Sequence, residues 1–178
     1  MKNRIVALAA GAVSVVFVAI AATPTDVSAR LLPSRQVCEA QKNPGAGERE
    51  QERALRCVID HVRSRAGARR LSTNRALQRA AGSKAKDLAR CGFTHTACGR
   101  PADAWAEHYG YDSSSWSWGE NLAEGSRRMT ARAAVKSWLN SPPHRATLMQ
   151  GSFEHVGAAL ERSGGHAYWV LEVGCHGC

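Results

Sequence analysis

The 178-residue chain carries 24 Lys and Arg residues against 15 Asp and Glu, a formal net charge of +9 at pH 7 with neutral histidines. Such a charge favours contact with anionic surfaces such as wall polymers, phospholipid head groups or nucleic acid. The arginines are spread over many segments, and the sequence has no nucleic-acid motif or set of base-stacking aromatics. Specific nucleic-acid recognition is therefore not expected, and solvated helix faces account for most of the charge.

The N-terminus has the pattern of an export signal. Lys2 and Arg4 precede an apolar run from Ile5 to Ala22, and the small residues of Val27-Ser28-Ala29 predict cleavage after Ala29. An uncleaved membrane anchor is the alternative, because a run of about 18 residues is near the minimum for spanning a bilayer. Removal of residues 1–29 takes away two basic residues and one acidic residue, so the charge becomes +8. The sequence has no second apolar run, so we expect a secreted domain without a transmembrane helix.

All six cysteines follow this segment: Cys38, Cys57, Cys91, Cys98, Cys175 and Cys178. An even number of cysteines in an exported chain favours disulfides over free thiols. We expect Cys91 to pair with Cys98, because this bond closes a short loop around His95, worth about 2 to 3 kcal/mol in the chain-entropy model. The two C-terminal cysteines are expected in a structural bridge, either local or back to Cys38 or Cys57.

The predicted elements begin with an extended lead-in over residues 30–47, which contain Pro and Gly without apolar periodicity. Apolar residues at helical spacing then predict a helix from Glu48 to Ala66, with its arginines mainly on the solvent side. A second helix is predicted from a cap at Thr73 or Asn74 to Arg90.

The second half of the chain is predicted to combine shorter helices with strands. A helical piece at 101–108 and a short strand within 113–125 precede a helix that Thr130 caps and Pro142-Pro143 ends. Apolar segments at 153–160 and 167–173, joined by a turn with two glycines, predict a hairpin. Helices followed by a hairpin indicate an α+β fold, with the helices packed on a small antiparallel sheet. The five tryptophans are expected mainly as core anchors rather than as the lining of a ligand groove.

Three segments carry candidate functional side chains. They are Phe93-Thr94-His95, the turn Gly119-Glu120-Asn121, and a helix end followed by His144. Two imidazoles and one carboxylate in one cavity are sufficient to hold a divalent cation with an open position, or to shuttle protons. The alternative is a buried hydrogen-bonded cluster that only stabilises the fold.

In this order the motifs resemble the CAP superfamily of cysteine-rich secretory proteins, antigen five and pathogenesis-related proteins, also called the SCP domain. The resemblance covers residues 52–174 and is strongest to short secreted bacterial members. It is carried by the segments F-T-H at 93–95, G-E-N-L-A at 119–123, N-S-P-P-H-R at 140–145 and Y-W at 168–169. The resemblance implies a three-layer α-β-α sandwich over residues 48–178.

The resemblance also implies a cavity that can bind a metal. His95 and Glu120 match two positions of the family's His-Glu tetrad, whereas Ser141 and Tyr168 replace the other two, and His144 matches a histidine of bacterial members. His95, Glu120 and His144 are therefore the candidate ligands for zinc or another divalent cation. No residue is assigned as catalytic, because no Ser or Cys lies in a recognisable nucleophile motif.

We expect a secreted, non-catalytic protein whose cavity and basic surface bind a lipid, a cell-wall polymer, a protein or a divalent metal. A metal-dependent hydrolase acting on peptide or cell-wall substrates, with Glu120 as base, is the alternative. A membrane-active basic protein is the third hypothesis, and it predicts salt-sensitive binding to liposomes.

Overall fold

The computed structural model describes residues 27–111 and 116–178, so nearly all of the predicted signal segment lies outside the described residues. The helices are α1 (Val27–Leu31), α2 (Glu48–Arg65), α3 (Arg75–Cys91), α4 (Ala104–His108), α5 (Ala131–Asn140) and α6 (Pro142–Met149). The strands are β1 (Ser72–Thr73), β2 (Trp116–Ser126), β3 (His155–Ser163) and β4 (His166–His176).

The strands form one sheet in the order β1-β3-β4-β2. The predicted hairpin is confirmed as the antiparallel pair β3–β4, and β2 pairs antiparallel with β4 along its whole length. The expectation of a purely antiparallel sheet is wrong in one detail, because β1 pairs parallel with β3. A strand of two residues is too short to show an alternating pattern, so no local signal predicts it.

Helices cover both faces of the sheet, which confirms the predicted α+β class and the three-layer sandwich. The larger core cluster joins α2, α5 and α6 to one face through residues such as Leu55, Trp138 and Leu171. The opposite face packs against α3 through residues such as Leu88 and Val170.

Helix α3 lies unusually close to β3. A Cβ atom at Gly157 would come within 2.1 Å of the backbone of Leu77, so only glycine permits this approach. Of the two predicted cap residues, Thr73 and Asn74, the structure has Asn74: its Oδ1 accepts hydrogen bonds from the backbone N–H groups of Ala76 at 2.8 Å and Leu77 at 3.2 Å. The start of α3 is therefore fixed both by its cap and by its contact with the sheet.

Two predicted segments differ from the structure. Pro142 and Pro143 do follow the end of α5, but they also begin the two-turn helix α6, which was not predicted; proline is tolerated in a first helical turn. The lead-in consists mostly of turns rather than extended chain, and Leu32, Cys38 and Gln41 in it are buried.

Three disulfides link the six cysteines. The Cys91–Cys98 bond is confirmed, and the C-terminal cysteines pair locally, which was one of the two alternatives. The third bond, Cys38–Cys57, ties the lead-in to α2. No helix in the described part of the chain is long and apolar enough to cross a membrane.

Candidate functional site

His95 and Glu120 contact each other directly. Glu120 lies on β2, and its Oε1 is 2.6 Å from Nδ1 of His95 in a hydrogen bond. The Glu120 side chain is 1% exposed, whereas that of His95 is 53% exposed. The disulfide-closed loop after α3 therefore holds an imidazole over a buried carboxylate.

The strand register places a second glutamate beside the first. Glu172 on β4 is the cross-strand partner of both Glu120 on β2 and Gly157 on β3. Residues paired in this way point to the same face of a sheet, and the Cβ direction at Gly157 points at α3. The two carboxyls therefore lie side by side beneath α3, and Glu172 is 1% exposed.

Lys84 of α3 supplies the positive charge of this cluster. Its Nζ is 3.5 Å from Oε2 of Glu120 and also donates a hydrogen bond to the carbonyl of His95. The side chain is only 2% exposed, so this ion pair is shielded from water. We name Lys84, Glu120 and Glu172, together with the half-exposed His95 that covers them, the buried charge cluster.

Glu172 is the carboxyl most strongly affected by this environment. Burial raises the pKa of Glu172 well above its usual range, and the neighbouring Glu120 carboxylate adds to the effect. Lys84 and a hydrogen bond from Trp118 act in the opposite direction on this pKa. Two adjacent buried carboxyls do not readily ionise together, so this environment favours the protonated form of Glu172.

His144 lies close to this cluster without being bonded to it. Its Nδ1 is hydrogen-bonded to Oγ of Ser141 at 2.8 Å, and its carbonyl accepts a hydrogen bond from Nδ2 of Asn121 at 2.8 Å. Burial lowers the pKa of His144, and the nearby His95 lowers it further. The structure thus joins His95 to Glu120 and brings His144 within electrostatic reach of His95.

These side chains do not fit a resident metal ion in the present arrangement. The ammonium of Lys84 lies against Glu120 and would repel a divalent cation, and Nδ1 of His95 is already bonded to the same carboxylate. Within the described ranges, no group of three or more His, Cys, Asp or Glu side chains is arranged to hold a metal. The zinc site at His95, Glu120 and His144 remains a prediction.

Sequence reasoning missed Lys84 and Glu172 as members of the site, although each left a signal. Lys84 lies on the apolar stripe of α3, and a lysine at a buried position requires a partner. Glu172 is a lone acidic residue inside an apolar strand, where the same rule applies.

The family comparison identifies the class to which this domain belongs. A family model described as the cysteine-rich secretory protein family, CAP, matches residues 57–173. This match covers more than half of the chain, so the chain belongs to the CAP family.

Solved bacterial structures share the fold. An outer surface protein of Borrelia burgdorferi is 23% identical with a TM-score of 0.63, covering 71% of this chain and 93% of that one. An extracellular protein with an SCP domain from Bacillus anthracis is 20% identical with a TM-score of 0.62, covering 71% of this chain and 40% of that one. A cysteine-rich secretory protein of Staphylococcus aureus is 22% identical with a TM-score of 0.57, covering 73% and 40%.

Sequence similarity to curated proteins is local. The uncharacterized protein YkwD of Bacillus subtilis is 39% identical over 46 residues, which are 26% of this chain and 17% of that protein. The matched region is therefore a small part of the relative. The family model identifies the family and the solved structures show the fold, but none of these comparisons assigns a ligand or an activity.

Proposed function

We propose that the chain is an exported, non-catalytic CAP-domain protein that binds an anionic polymer of the cell envelope. The observation that carries this proposal is a basic surface segment at residues 65–79, which we name the basic segment. It contains five arginines and no acidic residue: Arg65, Arg69, Arg70, Arg75 and Arg79. All five are exposed.

The basic segment runs from the end of α2 through β1 to the first turns of α3. Arg70 lines two surface depressions, one shared with Arg69 and Glu154 and the other with Arg65 and Asp60. Each depression also contains a carboxylate, which would repel a small anion bound there alone. We therefore expect the arginines to act together along an extended ligand. A flexible polymer with repeated phosphates suits such a row better than a single small anion does.

The buried charge cluster supports binding rather than catalysis. Glu120 is already engaged by His95 and Lys84, which leaves it poorly placed to activate a water as a general base. The cysteines are all in disulfides, and hence none is available as a thiolate nucleophile.

Two variants matched in charge test the proposal. In the first, Arg65, Arg69 and Arg70 are changed to Gln. In the control, three exposed basic residues outside the basic segment are changed to Gln: Arg127, Arg128 and Lys136. Each basic residue at an anionic surface contributes about 1 kcal/mol, so the first variant should lose affinity on the order of 100-fold. The control should bind nearly as well as the wild type.

Binding is measured on an immobilised, phosphate-containing wall polymer at several salt concentrations, since an electrostatic contact weakens as salt rises. Equal losses in both variants, or none in either, would reject the basic segment as the contact. Preferential binding to anionic vesicles over the polymer would favour the membrane-active hypothesis instead. Zinc-dependent peptide or wall turnover that Glu120→Gln abolishes would favour the hydrolase. Export is checked by sequencing the N-terminus of secreted protein, which is expected to begin at Arg30.

A further inference from the structure

We propose that Lys84 is the resident cation of the CAP cavity in this chain, and that its ammonium excludes a divalent metal from Glu120 and Glu172. This inference concerns the buried charge cluster and does not depend on the polymer contact at the basic segment. It identifies Lys84 as the residue that determines what the cavity accepts.

The position of the ammonium is the first support. Lys84 Nζ lies 3.5 Å from Oε2 of Glu120, and His95 occupies the other oxygen of the same carboxylate at 2.6 Å. A divalent cation bound to either oxygen of Glu120 would lie next to this ammonium, which would repel it. The ammonium therefore acts as a competitor that is covalently attached to the protein.

The neighbouring acidic residue on α3 does not compete for Lys84. Asp87 lies one turn further along the helix, where its carboxylate accepts hydrogen bonds from Arg90 at 3.0 Å, Arg100 at 3.0 Å and Trp105 Nε1 at 2.8 Å. Asp87 is thus engaged by two guanidinium groups and an indole. Glu120 is the carboxylate that Lys84 pairs with in the structure.

The approach of α3 to the sheet holds Lys84 in place. Leu77 packs against Gly157, and Lys84 follows two turns later on the same helix face, above Glu172 and Glu120. Because the helix backbone contacts β3 directly, α3 carries the lysine stem over the two carboxyls, and the Lys84 side chain is only 2% exposed there. A buried ammonium without its partner costs several kcal/mol, so the paired position is strongly preferred.

Loss of the ammonium would leave a different set of groups. An imidazole from His95 and carboxylates from Glu120 and Glu172 are ligand types that zinc accepts, with a fourth position open. As they stand these three side chains are not arranged around a metal, so they would have to shift into the space that the lysine vacates. We therefore expect Lys84→Ala, which removes the ammonium and frees that space, to gain zinc binding at this cluster. Lys84→Arg keeps a cation in place and serves as the matched control.

Calorimetric titration with zinc tests this expectation. Lys84→Ala should bind one zinc with a Kd at least about tenfold lower than any wild-type or Lys84→Arg binding, and Glu120→Gln in the Lys84→Ala background should abolish the gain. Stoichiometric zinc on the wild type that Glu120→Gln removes would overturn the proposal. Failure of folded Lys84→Ala to gain zinc would overturn it as well.

A second experiment covers the case in which Lys84→Ala folds poorly. Lys84→Met leaves Glu120 without its cation, so this variant should melt at a lower temperature than the wild type. The double variant Lys84→Met with Glu120→Gln should recover part of that loss. Both melts are made with a chelator, so that metal does not contribute. Losses that simply add in the double variant would show that the two charges are not coupled and would contradict the proposal.

Discussion

Arg63 offers the sharpest test of how this fold is held together. Although the arginines of α2 were expected mainly on its solvent side, Arg63 is 0% exposed. Its guanidinium donates to four backbone carbonyls: Arg69 at 2.8 Å, Leu148 at 2.8 Å, Gln150 at 3.0 Å and Phe153 at 3.4 Å. One side chain therefore joins the end of α2, the end of α6 and the loop that leads into β3.

The cost of Arg63→Met follows from these contacts. A hydrogen bond from a charged donor contributes about 1.5 to 3 kcal/mol, and three of the four distances are short. Burial opposes the gain, since it disfavours the charged form and lowers the pKa of Arg63. Met fills similar space and avoids that desolvation, but it leaves several carbonyls without this donor. We expect a net loss of about 3 kcal/mol in the free energy of unfolding.

Urea unfolding followed by circular dichroism measures this loss, with Arg65→Met as control because Arg65 is exposed on the same last turn of α2. The control should change stability by less than about 0.5 kcal/mol. Arg63→Lys should fall between the two, because an ammonium cannot reach the same set of carbonyls in a planar fork. If Arg63→Met has the same urea midpoint as the wild type, and the same dependence of unfolding free energy on urea concentration, the carbonyl contacts do not stabilise the fold and the reasoning is refuted.

Two further predictions concern the face of the sheet beneath α3. Burial, with the Glu154 carboxylate adding to it, raises the pKa of Tyr111 to about 12 from an ordinary value of 10.0. Because the native pKa of Tyr111 is raised, its phenol stabilises the fold below pH 10, and this stabilisation is lost as the pH rises towards 12. The free energy of unfolding of the wild type should therefore fall by about 2 to 3 kcal/mol more than that of Tyr111→Phe over this range. If urea unfolding shows the same pH dependence for both proteins from pH 9 to 12, this prediction is wrong. Gly157→Ala should lower the free energy of unfolding by about 3 kcal/mol or more, because its Cβ would meet the backbone of Leu77. In the control Gly82→Ala the Cβ meets nothing within 4 Å, so that variant should be neutral or stabilising. Equal melting temperatures for the two variants would show that α3 can move aside.

The main helices were predictable because their signals are local. Leu55, Val58 and Val62 recur at helical spacing and are all buried, and the side chain of Asn74, one of the two predicted caps, caps α3. Arg63 was missed because helical periodicity assigns a charged residue to the solvent side. Only the packing of α6 and the following loop reveals the carbonyls that surround it.

The candidate site was predictable in part. The resemblance to the CAP family, and not the spacing of the motifs, placed His95 and Glu120 in one cavity; they are 25 residues apart in the sequence and in contact in the structure. The strand register determines that Glu172 lies beside Glu120, and register depends on long-range pairing that no local pattern encodes. The role of Lys84 depends on long-range packing as well, because its partner Glu120 lies on a strand that comes 36 residues later in the chain.

The bare α-carbon of Gly157 has a consequence for how this protein can vary in evolution. Gly157, Glu172 and Glu120 form one row across three neighbouring strands, and α3 rests on the glycine end of that row while Lys84 reaches the acidic end. Any side chain at 157 would push the helix outward and draw the ammonium away from its carboxylate. Homologues should therefore show covariation among these positions, with a larger residue at 157 accompanied by loss of the lysine and of at least one glutamate.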